Sequence, residues 1–352
     1  MTKKKLTITA TPELMLREGL EAGKIAQWED GQRCDTGPGF FEWWYFDANF
    51  EDGSTVVVVF LTKSILDRNG PLKPGVRINI TTPDGRELGG LPLYPPAAFS
   101  ALRGQCDVRI AHSWVRGDLH HYALHAEYGE LAVDLEFSGI VPAWREGLGM
   151  TFYDEGLTEF FGWLPAIPFG KVEGTLTYEG KKHKVTGTGY HDHNWGNVDL
   201  NAVMSHWYWG RAHVGDYSLI FVEMNTVKDL GALKIPVFML AKKDKILIGD
   251  GTPLTMEARE YETHPGGRQF PLKVDFTWKT DKGEVELSLR HPQTIEASSL
   301  LSLLPPWQQR LARLFANPYY FRFNADLKLK VDLPGEKANE KGRALFEIML
   351  LK

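Results

Sequence analysis

Short segments in which apolar and polar residues alternate recur along most of the chain. Residues 54–61 are rich in β-branched side chains, and residues 76–81 alternate strictly. Further alternating segments lie between residues 107 and 140 and again over residues 172–189, with turn sequences such as Asp52-Gly53 between them. Strand-length segments at this spacing, without a helical period, predict an antiparallel barrel or sandwich.

The same pattern begins again near residue 206 and continues to residue 351. A chain of 352 residues is long for one compact domain. The sequence therefore predicts an all-β protein with few short helices and two tandem β-barrel domains, residues 1–196 and residues 197–352.

Two segments interrupt the β pattern. Residues 142–170 are rich in Trp, Phe, Pro and Gly, which favours a loop covering a pocket mouth or a segment packed under a barrel end. Residues 298–316 place Leu311, Leu314 and Phe315 on one helical face after a Pro-Pro start, which predicts an amphipathic helix. That helix would either brace a barrel or make peripheral contact with a membrane.

Composition limits the classes of partner. The 40 basic and 45 acidic residues are spread along the chain and give a net charge of -5, which argues against nucleic acid. Cys34 and Cys106 show no pairing pattern, and no signal-peptide core or stretch of about 18 apolar residues is present. We therefore expect a cytoplasmic protein that is soluble or peripheral to a membrane.

The densest candidate chemistry lies near the middle of the chain. Between Tyr190 and His213 the sequence has four histidines and three tryptophans, together with Asp192, Tyr208 and Arg211. Proton donors and acceptors mixed with large aromatic surfaces suit a binding or catalytic pocket. The alternative is an ordinary aromatic β core whose histidines are hydrogen-bonded neighbours of the tryptophans.

Two motifs carry a resemblance to a known family. Residues 42–46 (EWWYF) and residues 189–196 (GYHDHNWG) resemble the carotenoid 1,2-hydratase (hydroxyneurosporene synthase) and AttH-like family. The resemblance implies two tandem lipocalin-like β-barrel domains with a pocket where they meet. Relatives of this kind include hydratases of isoprenoid double bonds, and similar two-domain folds serve cyclases and fungal Diels-Alderases.

The resemblance also implies site residues. The family's histidine and tryptophan two residues apart fall on His193 and Trp195. Its aromatic residue and carboxylate two residues apart, further along the chain, have Phe221 and Glu223 as their nearest candidates, with phenylalanine where a tyrosine is expected.

Hydration or cyclisation of an isolated alkene needs a proton donor and a surface that tolerates a carbocation. The candidate donors are Glu42, Asp192, His193 and Glu223. The candidate lining residues are Trp43, Trp44, Tyr45, Tyr190, Trp195, Trp207, Tyr208, Trp209 and Phe221. Strand alternation would put Trp207 and Trp209 on one face and Tyr208 on the other, so only one of these sets can face a given pocket.

Other chemistries find weaker support. His191 and His193 would point to the same side of a strand and His206 could add a third ligand, but the set is incomplete, so we expect no metal. The chain has no G-x-S-x-G elbow, so we expect no nucleophilic serine of that type. It has no G-x-G-x-x-G or Walker segment, so we expect no nucleotide cofactor.

The sequence thus predicts a cofactor-independent enzyme that hydrates or cyclises an apolar isoprenoid or polyene substrate at the domain interface. One alternative is a pericyclase or other isomerase of secondary metabolism. Another is a lipocalin-type carrier that releases its apolar ligand unchanged.

Overall fold

The computed structural model describes residues 4–299 and 318–352 of the chain. The chain divides into two compact units, Met1–Val198 and Asp199–Lys352, whereas the sequence predicted the division after residue 196. Across the described residues almost all regular structure is β, which confirms the predicted all-β class with few short helices.

The first unit has one short helix and strands that form antiparallel pairs. The helix is α1 (Pro12–Arg17), and the strands are β1 (Lys4–Thr7), β2 (Phe41–Phe50), β3 (Thr55–Leu61), β4 (Gly75–Thr81), β5 (Glu87–Gly90), β6 (Phe99–Ala101), β7 (Cys106–Ile110), β8 (Ser113–Gly117), β9 (His121–Tyr128), β10 (Leu131–Val141), β11 (Met150–Asp154), β12 (Phe160–Tyr178) and β13 (Lys181–Gly196). A 3-10 turn, Gln27–Asp30, precedes β2.

These strands form one 13-stranded sheet with the order β5-β4-β3-β2-β13-β12-β10-β9-β8-β7-β6, and β11 joins β1 to β12. The inner face carries the hydrophobic core, which includes Trp44, Phe46 and Trp195. The turn after β2 is at Asp52-Gly53, where Gly53 has φ of 86°, a backbone conformation that glycine adopts without strain. The hairpin predicted at these two residues is therefore present.

The second unit repeats this construction with fewer strands. The helix is α2 (Leu200–Val203), and the strands are β14 (Met204–Val214), β15 (Tyr217–Thr226), β16 (Lys234–Lys242), β17 (Lys245–Ile248), β18 (Leu254–Thr263), β19 (Gln269–Thr280), β20 (Gly283–Ser299), β21 (Tyr319–Leu333) and β22 (Glu336–Leu350). They form a 9-stranded antiparallel sheet with the order β17-β16-β15-β14-β22-β21-β20-β19-β18. Its core is a separate cluster that includes Phe221, Phe276 and Phe346.

The prediction of a loop over residues 142–170 is wrong for much of that segment. Met150–Asp154 and Phe160–Tyr178 are strands, and the second pairs with β10 and β13 along most of its length. The prolines that suggested a loop coincide with register shifts between Pro165 and Gly170. Bulges of this kind let proline lie within a strand without breaking the ladder.

The predicted amphipathic helix, residues 298–316, lies outside the described residues except for Ser298 and Ser299, which end β20 and are not helical. Among the helices of the described residues, none is both long and apolar enough to cross a membrane.

Candidate functional site

Strand β13 presents two different polar faces. His191 stacks on Phe46 and His193 on Trp44, and both of these aromatic residues belong to the core of the first unit. Because side chains alternate along a strand, Asp192 points to the opposite face. The sequence grouped Asp192 with His193 as candidate proton donors, and the structure separates them.

His193 lies between two carboxylates. Register pairs it with Trp44 of β2, and its Nε2 is 2.8 Å from Oε1 of Glu42. Its Nδ1 is 3.4 Å from Oδ1 of Asp30, close enough for electrostatic attraction but not arranged for a hydrogen bond. His193 is 0% exposed, and Asp30 and Glu42 are each 1% exposed, so all three groups are removed from bulk water.

Glu42 is held as a hydrogen-bond acceptor. The backbone N–H groups of Arg33 and Cys34 donate to its two oxygens at 2.6 and 3.1 Å. An ionised carboxylate can only accept, so His193 Nε2 carries the proton in its contact with Glu42. Glu42 thereby orients the His193 ring and leaves Nδ1 as the ring nitrogen without a partner among the described residues.

Asp30, which sequence reasoning missed, connects the two histidines. It ends the 3-10 turn before β2, and its Oδ2 lies 3.1 Å from Nε2 of His191 and accepts a 2.5 Å hydrogen bond from the Tyr122 hydroxyl. The only signal in the sequence was an acidic pair beside Trp28 in a segment without strand periodicity. The backbone carbonyl of Asp30 also accepts from Nε1 of Trp44 at 3.0 Å.

The proton positions around His191 follow from its partners. Nδ1 is 2.9 Å from the backbone carbonyl of Tyr45, and a carbonyl can only accept, so Nδ1 carries a proton. With that proton on Nδ1, a hydrogen bond between Nε2 of His191 and Oδ2 of Asp30 requires a second proton, which the imidazole and the carboxylate share. Burial on its own raises the pKa of Asp30, but the charge and hydrogen bond of His191, the charge of His193 and the Tyr122 hydroxyl together lower it below its usual value.

Aromatic rings enclose His193. Trp44 stacks on it with ring centroids 4.6 Å apart and an interplanar angle of 14°, and Trp195 lies 4.9 Å away at 44°. Electron-rich indole faces at this distance stabilise a cation. His193 and Trp195, the two residues matched through the family resemblance, therefore contact each other in the first unit.

The other face of β13 holds a second polar cluster. Trp163 Nε1 and the Tyr190 hydroxyl donate to Oδ2 of Asp192 at 2.8 and 2.7 Å, and the Asn194 amide donates to Oδ1 at 2.7 Å. Burial raises the pKa of Asp192, although these hydrogen bonds oppose the shift. The Tyr45 ring contacts the Tyr190 ring on this same face. Trp43 is the cross-strand neighbour of Asn194 and also belongs to this face.

The remaining predicted residues belong to the second unit. Glu223 is the cross-strand neighbour of Tyr208, and its carboxylate accepts from Asn225 and Lys234 at 3.2 and 3.0 Å. Tyr208 and Phe221 lie in that unit's core. Trp207 and Trp209 are half-buried on the strand face opposite Tyr208, as alternation predicted.

Among residues 4–299 and 318–352, one group of buried side chains has metal-ligand chemistry. Ligand atoms of Asp30, Cys106 and His191 all lie within 4.8 Å of one another. Within this group His191 already contacts Asp30, and Tyr122 donates to the same carboxylate, so hydrogen bonds account for the positions of Asp30 and His191. His206, the third ligand considered from sequence, lies on β14 of the second unit.

Two tandem antiparallel β units, with a buried histidine-carboxylate cluster inside the first, define a lipocalin-like all-β protein. A family model described as the Svf1 family matches residues 103–351. The chain belongs to the Svf1 family.

Curated relatives differ in what their names describe. A hydroxyneurosporene dehydrogenase from Chlorobaculum tepidum is 28% identical over 89% of this chain and 83% of its own. The ceramide-binding protein SVF1 from Yarrowia lipolytica is 21% identical over 64% of this chain and 62% of its own. The quinolone epoxide rearrangement protein penF from Penicillium thymicola is 45% identical over 48 residues, which are 14% of this chain and 13% of penF. The chain thus covers less than two thirds of the length of two of these three relatives.

Solved structures show the same fold. An AttH-like protein from Nitrosomonas europaea superposes with a TM-score of 0.60 at 14% identity, covering 97% of this chain and 99% of the other. Kievitone hydratase from Nectria haematococca superposes with a TM-score of 0.57 at 15% identity, covering 99% and 98%. The AttH-like, lipocalin-like fold expected from the two sequence motifs is confirmed. These comparisons do not identify the chain as a carotenoid 1,2-hydratase.

Proposed function

We propose that this protein is a cofactor-independent enzyme that protonates a C=C bond or an epoxide of an apolar small molecule and so hydrates, cyclises or rearranges it. The observation that carries the proposal is the environment of His193, an imidazole between two carboxylates and against two indole rings. Such a group combines a proton donor with a surface that stabilises the resulting cation.

The geometry assigns separate roles to the two ring nitrogens. Glu42 holds the Nε2 proton, so the proton that a doubly protonated His193 would transfer is the one on Nδ1, the nitrogen without a hydrogen-bond partner among the described residues. When Nδ1 gives its proton to an alkene carbon, the alkene electron pair forms the new C–H bond and the neighbouring carbon becomes cationic. Water or a nucleophile within the substrate then completes hydration or ring closure.

Asp30 would return the proton. Its unpartnered Oδ1 faces Nδ1 at 3.4 Å, so it can accept a proton released from the attacking water and restore His193. His193 has no solvent exposure, so a substrate reaches it only after a covering side chain moves. Exclusion of water from the resting site would protect a reactive cation from unwanted capture.

Names of similar proteins agree with proton-initiated chemistry on apolar molecules. Kievitone hydratase shares the fold, and penF is named for an epoxide rearrangement. The family of two-unit β proteins therefore includes members whose names describe such reactions, which supports the reaction class proposed here without identifying the substrate.

Isotope labelling tests the proposal. The purified protein would be incubated with neurosporene and, separately, with kievitone in deuterated water enriched in oxygen-18, and the products analysed by mass spectrometry. Hydration of a C=C bond adds deuterium to carbon together with labelled oxygen, and cyclisation that begins by protonating a C=C bond adds deuterium alone. Protonation of an epoxide places the proton on oxygen, where it exchanges with solvent and leaves no label on carbon. A pericyclic reaction would incorporate neither label.

Two histidine variants of the same strand make the test specific. We expect His193→Ala to lower the rate by about 100-fold or more, the usual scale for losing a positioned acid or base. His183→Ala is the matched control, since His183 also lies on β13 and stacks on an aromatic ring, Tyr178, at 4.0 Å. Equal rates in folded His193→Ala and wild-type protein would remove His193 from the mechanism.

A lipid carrier is the second candidate, because several family relatives are named ceramide-binding proteins. A carrier would bind a fluorescent ceramide, release it chemically unchanged and keep the same affinity in His193→Ala. An enzyme of the proposed kind would instead lose turnover in that variant and leave ceramide intact without saturable binding.

A further inference from the structure

Arg33 occupies an unusual position beside the histidine-carboxylate cluster. Its guanidinium lies over the ring of Trp28 at 4.4 Å and over the ring of Trp195 at 4.9 Å. Trp195 in turn contacts His193, and the Arg33 backbone N–H donates to Glu42. Arg33 is thereby fixed at one end of the cluster by its backbone and by two aromatic rings.

The guanidinium N–H groups of Arg33 have no hydrogen-bond partner in the part of the chain that the structure describes. Throughout residues 4–299 and 318–352, the Arg33 side chain makes ring contacts but no hydrogen bond or ion pair. The segments outside this range, residues 1–3 and 300–317, contain no aspartate or glutamate that could supply a carboxylate. Within the described residues, the five N–H donors of the Arg33 side chain thus have no acceptor.

The nearest carboxylates are committed elsewhere. Glu29 forms a buried ion pair with Arg145, whose Nε is 2.7 Å from its Oε2, and Glu42 is engaged by His193. Arg33 is only half-buried and Trp28 is also partly exposed, whereas Trp195 is 3% exposed. The guanidinium of Arg33 is therefore a partly exposed group beside the enclosed cluster.

We propose that Arg33 binds the anionic head group, a carboxylate or a phosphate, of an apolar ligand whose chain extends towards Trp195 and His193. The planar guanidinium fork matches oxygen anions in a bidentate way, and stacking on indole rings leaves its N–H edge free for them. This inference rests on the proposed function, since it names the substrate class of the same site: apolar molecules that carry one negative group.

Burial favours such a ligand electrostatically. It lowers the pKa of Arg33, and the charges of Glu29 and Glu42 oppose that shift. An arginine remains charged even so, because its ordinary pKa is far above neutrality. A half-buried cation without a direct counter-ion gains more from an arriving anion than a solvated one does, since fewer waters must be displaced.

Binding of three probes with the same apolar chain tests the inference. Oleic acid, 1-oleoyl lysophosphatidic acid and oleyl alcohol would be titrated below their aggregation concentrations, with tryptophan fluorescence and calorimetry as readouts. We expect wild-type protein to bind at least one anionic probe about 10- to 100-fold more tightly than the alcohol, as charge-assisted hydrogen bonds imply. The preferred anion distinguishes a carboxylate from a phosphate ligand.

Variants assign that preference to one side chain. Arg33→Gln should abolish the preference for anions while leaving affinity for oleyl alcohol within about threefold, and Arg33→Lys should retain part of it because the charge remains but the fork is lost. Arg103→Gln is the control, since Arg103 is exposed and pairs with Asp35. If Arg33→Gln does not fold, the ratio of the affinity for the anionic probe to the affinity for oleyl alcohol is measured in Arg33→Lys instead. A ratio equal to that of wild-type protein overturns the inference.

The outcome is separable from catalysis. His193→Ala should keep the preference for the anionic probes over oleyl alcohol, so loss of turnover with that preference retained would support Arg33 independently of the reaction. Equal affinity of wild-type protein for the acid, the phosphate and the alcohol would overturn the assignment of Arg33, whatever the labelling experiment shows. So would an anion preference that survives in Arg33→Gln.

Discussion

Glu42 is the residue whose replacement tests the buried cluster most directly. Its carboxylate accepts from the backbone N–H groups of Arg33 and Cys34 and from Nε2 of His193, and all of these contacts lie inside the first unit. Glu42→Gln keeps the shape but turns one oxygen into an NH₂ donor. Whichever way the amide is oriented, at least one of the three donors then faces another donor.

The expected loss of stability follows from the number of buried donors that each variant leaves without an acceptor. With the amide oxygen at the position of Oε1, Arg33 and His193 keep an acceptor and only the Cys34 N–H is left unpaired. A buried unsatisfied donor costs about 1–3 kcal/mol, so we expect Glu42→Gln to lower the free energy of unfolding by that amount. Glu42→Ala removes all three acceptor contacts and should cost about 3–5 kcal/mol, the range for breaking a buried charged pair.

Urea denaturation followed by circular dichroism measures these differences. Glu179→Gln is the matched control, because Glu179 is a glutamate on the surface whose ion pair with Arg86 is 54% and 50% exposed. Such exposed pairs contribute about 0–1 kcal/mol. If Glu42→Gln and Glu179→Gln unfold at the same urea concentration as wild type, Glu42 is not the acceptor described here and its role in orienting His193 fails.

Three further predictions follow from the same region. The pKa of Asp30 is lower in the folded than in the unfolded protein. The stability that Asp30 contributes is therefore present above its unfolded-state pKa of about 4 and is lost as the pH falls through its folded-state pKa. Asp30→Asn should remove this acid-dependent part of the thermal unfolding midpoint. Gly162→Ala should cost about 1–3 kcal/mol in urea, because an added Cβ would lie 2.2 Å from the Trp195 ring, whereas Gly104→Ala, with nothing within 4 Å, should behave as wild type. Exhaustive chelation should leave the thermal midpoint unchanged, since hydrogen bonds already account for the group around Cys106, and a midpoint restored only by zinc would contradict this.

Local pattern in the sequence was enough for many of the strands and for their faces, although not for residues 142–170. Alternation put His191 and His193 on the same side of one strand, and Tyr208 opposite Trp207 and Trp209. Side-chain direction in a strand repeats every two residues and depends only on neighbours in the chain, so it can be deduced without knowing the fold. The turn at residues 52–53 was predictable for the same reason.

The same rule should have separated Asp192 from His193 at the outset. Adjacent residues of a strand point to opposite faces, and the structure gives each its own set of hydrogen bonds. Residues 142–170 were misjudged for a different reason. Proline and glycine content indicates a loop locally, but pairing with strands on both sides outweighs that local preference.

The sequence by itself thus determined the all-β class, the strand pattern and which side chains of β13 share a face. Only the tertiary structure decided which partners those side chains meet. Asp30 comes from a turn before β2 and contacts His191 although the two residues are 161 positions apart in the chain. Tyr122 comes from β9, and its ring centroid lies 4.5 Å from that of His191. Strand order and register set those contacts, and both are long-range properties fixed by the packing of the whole sheet rather than by any local pattern.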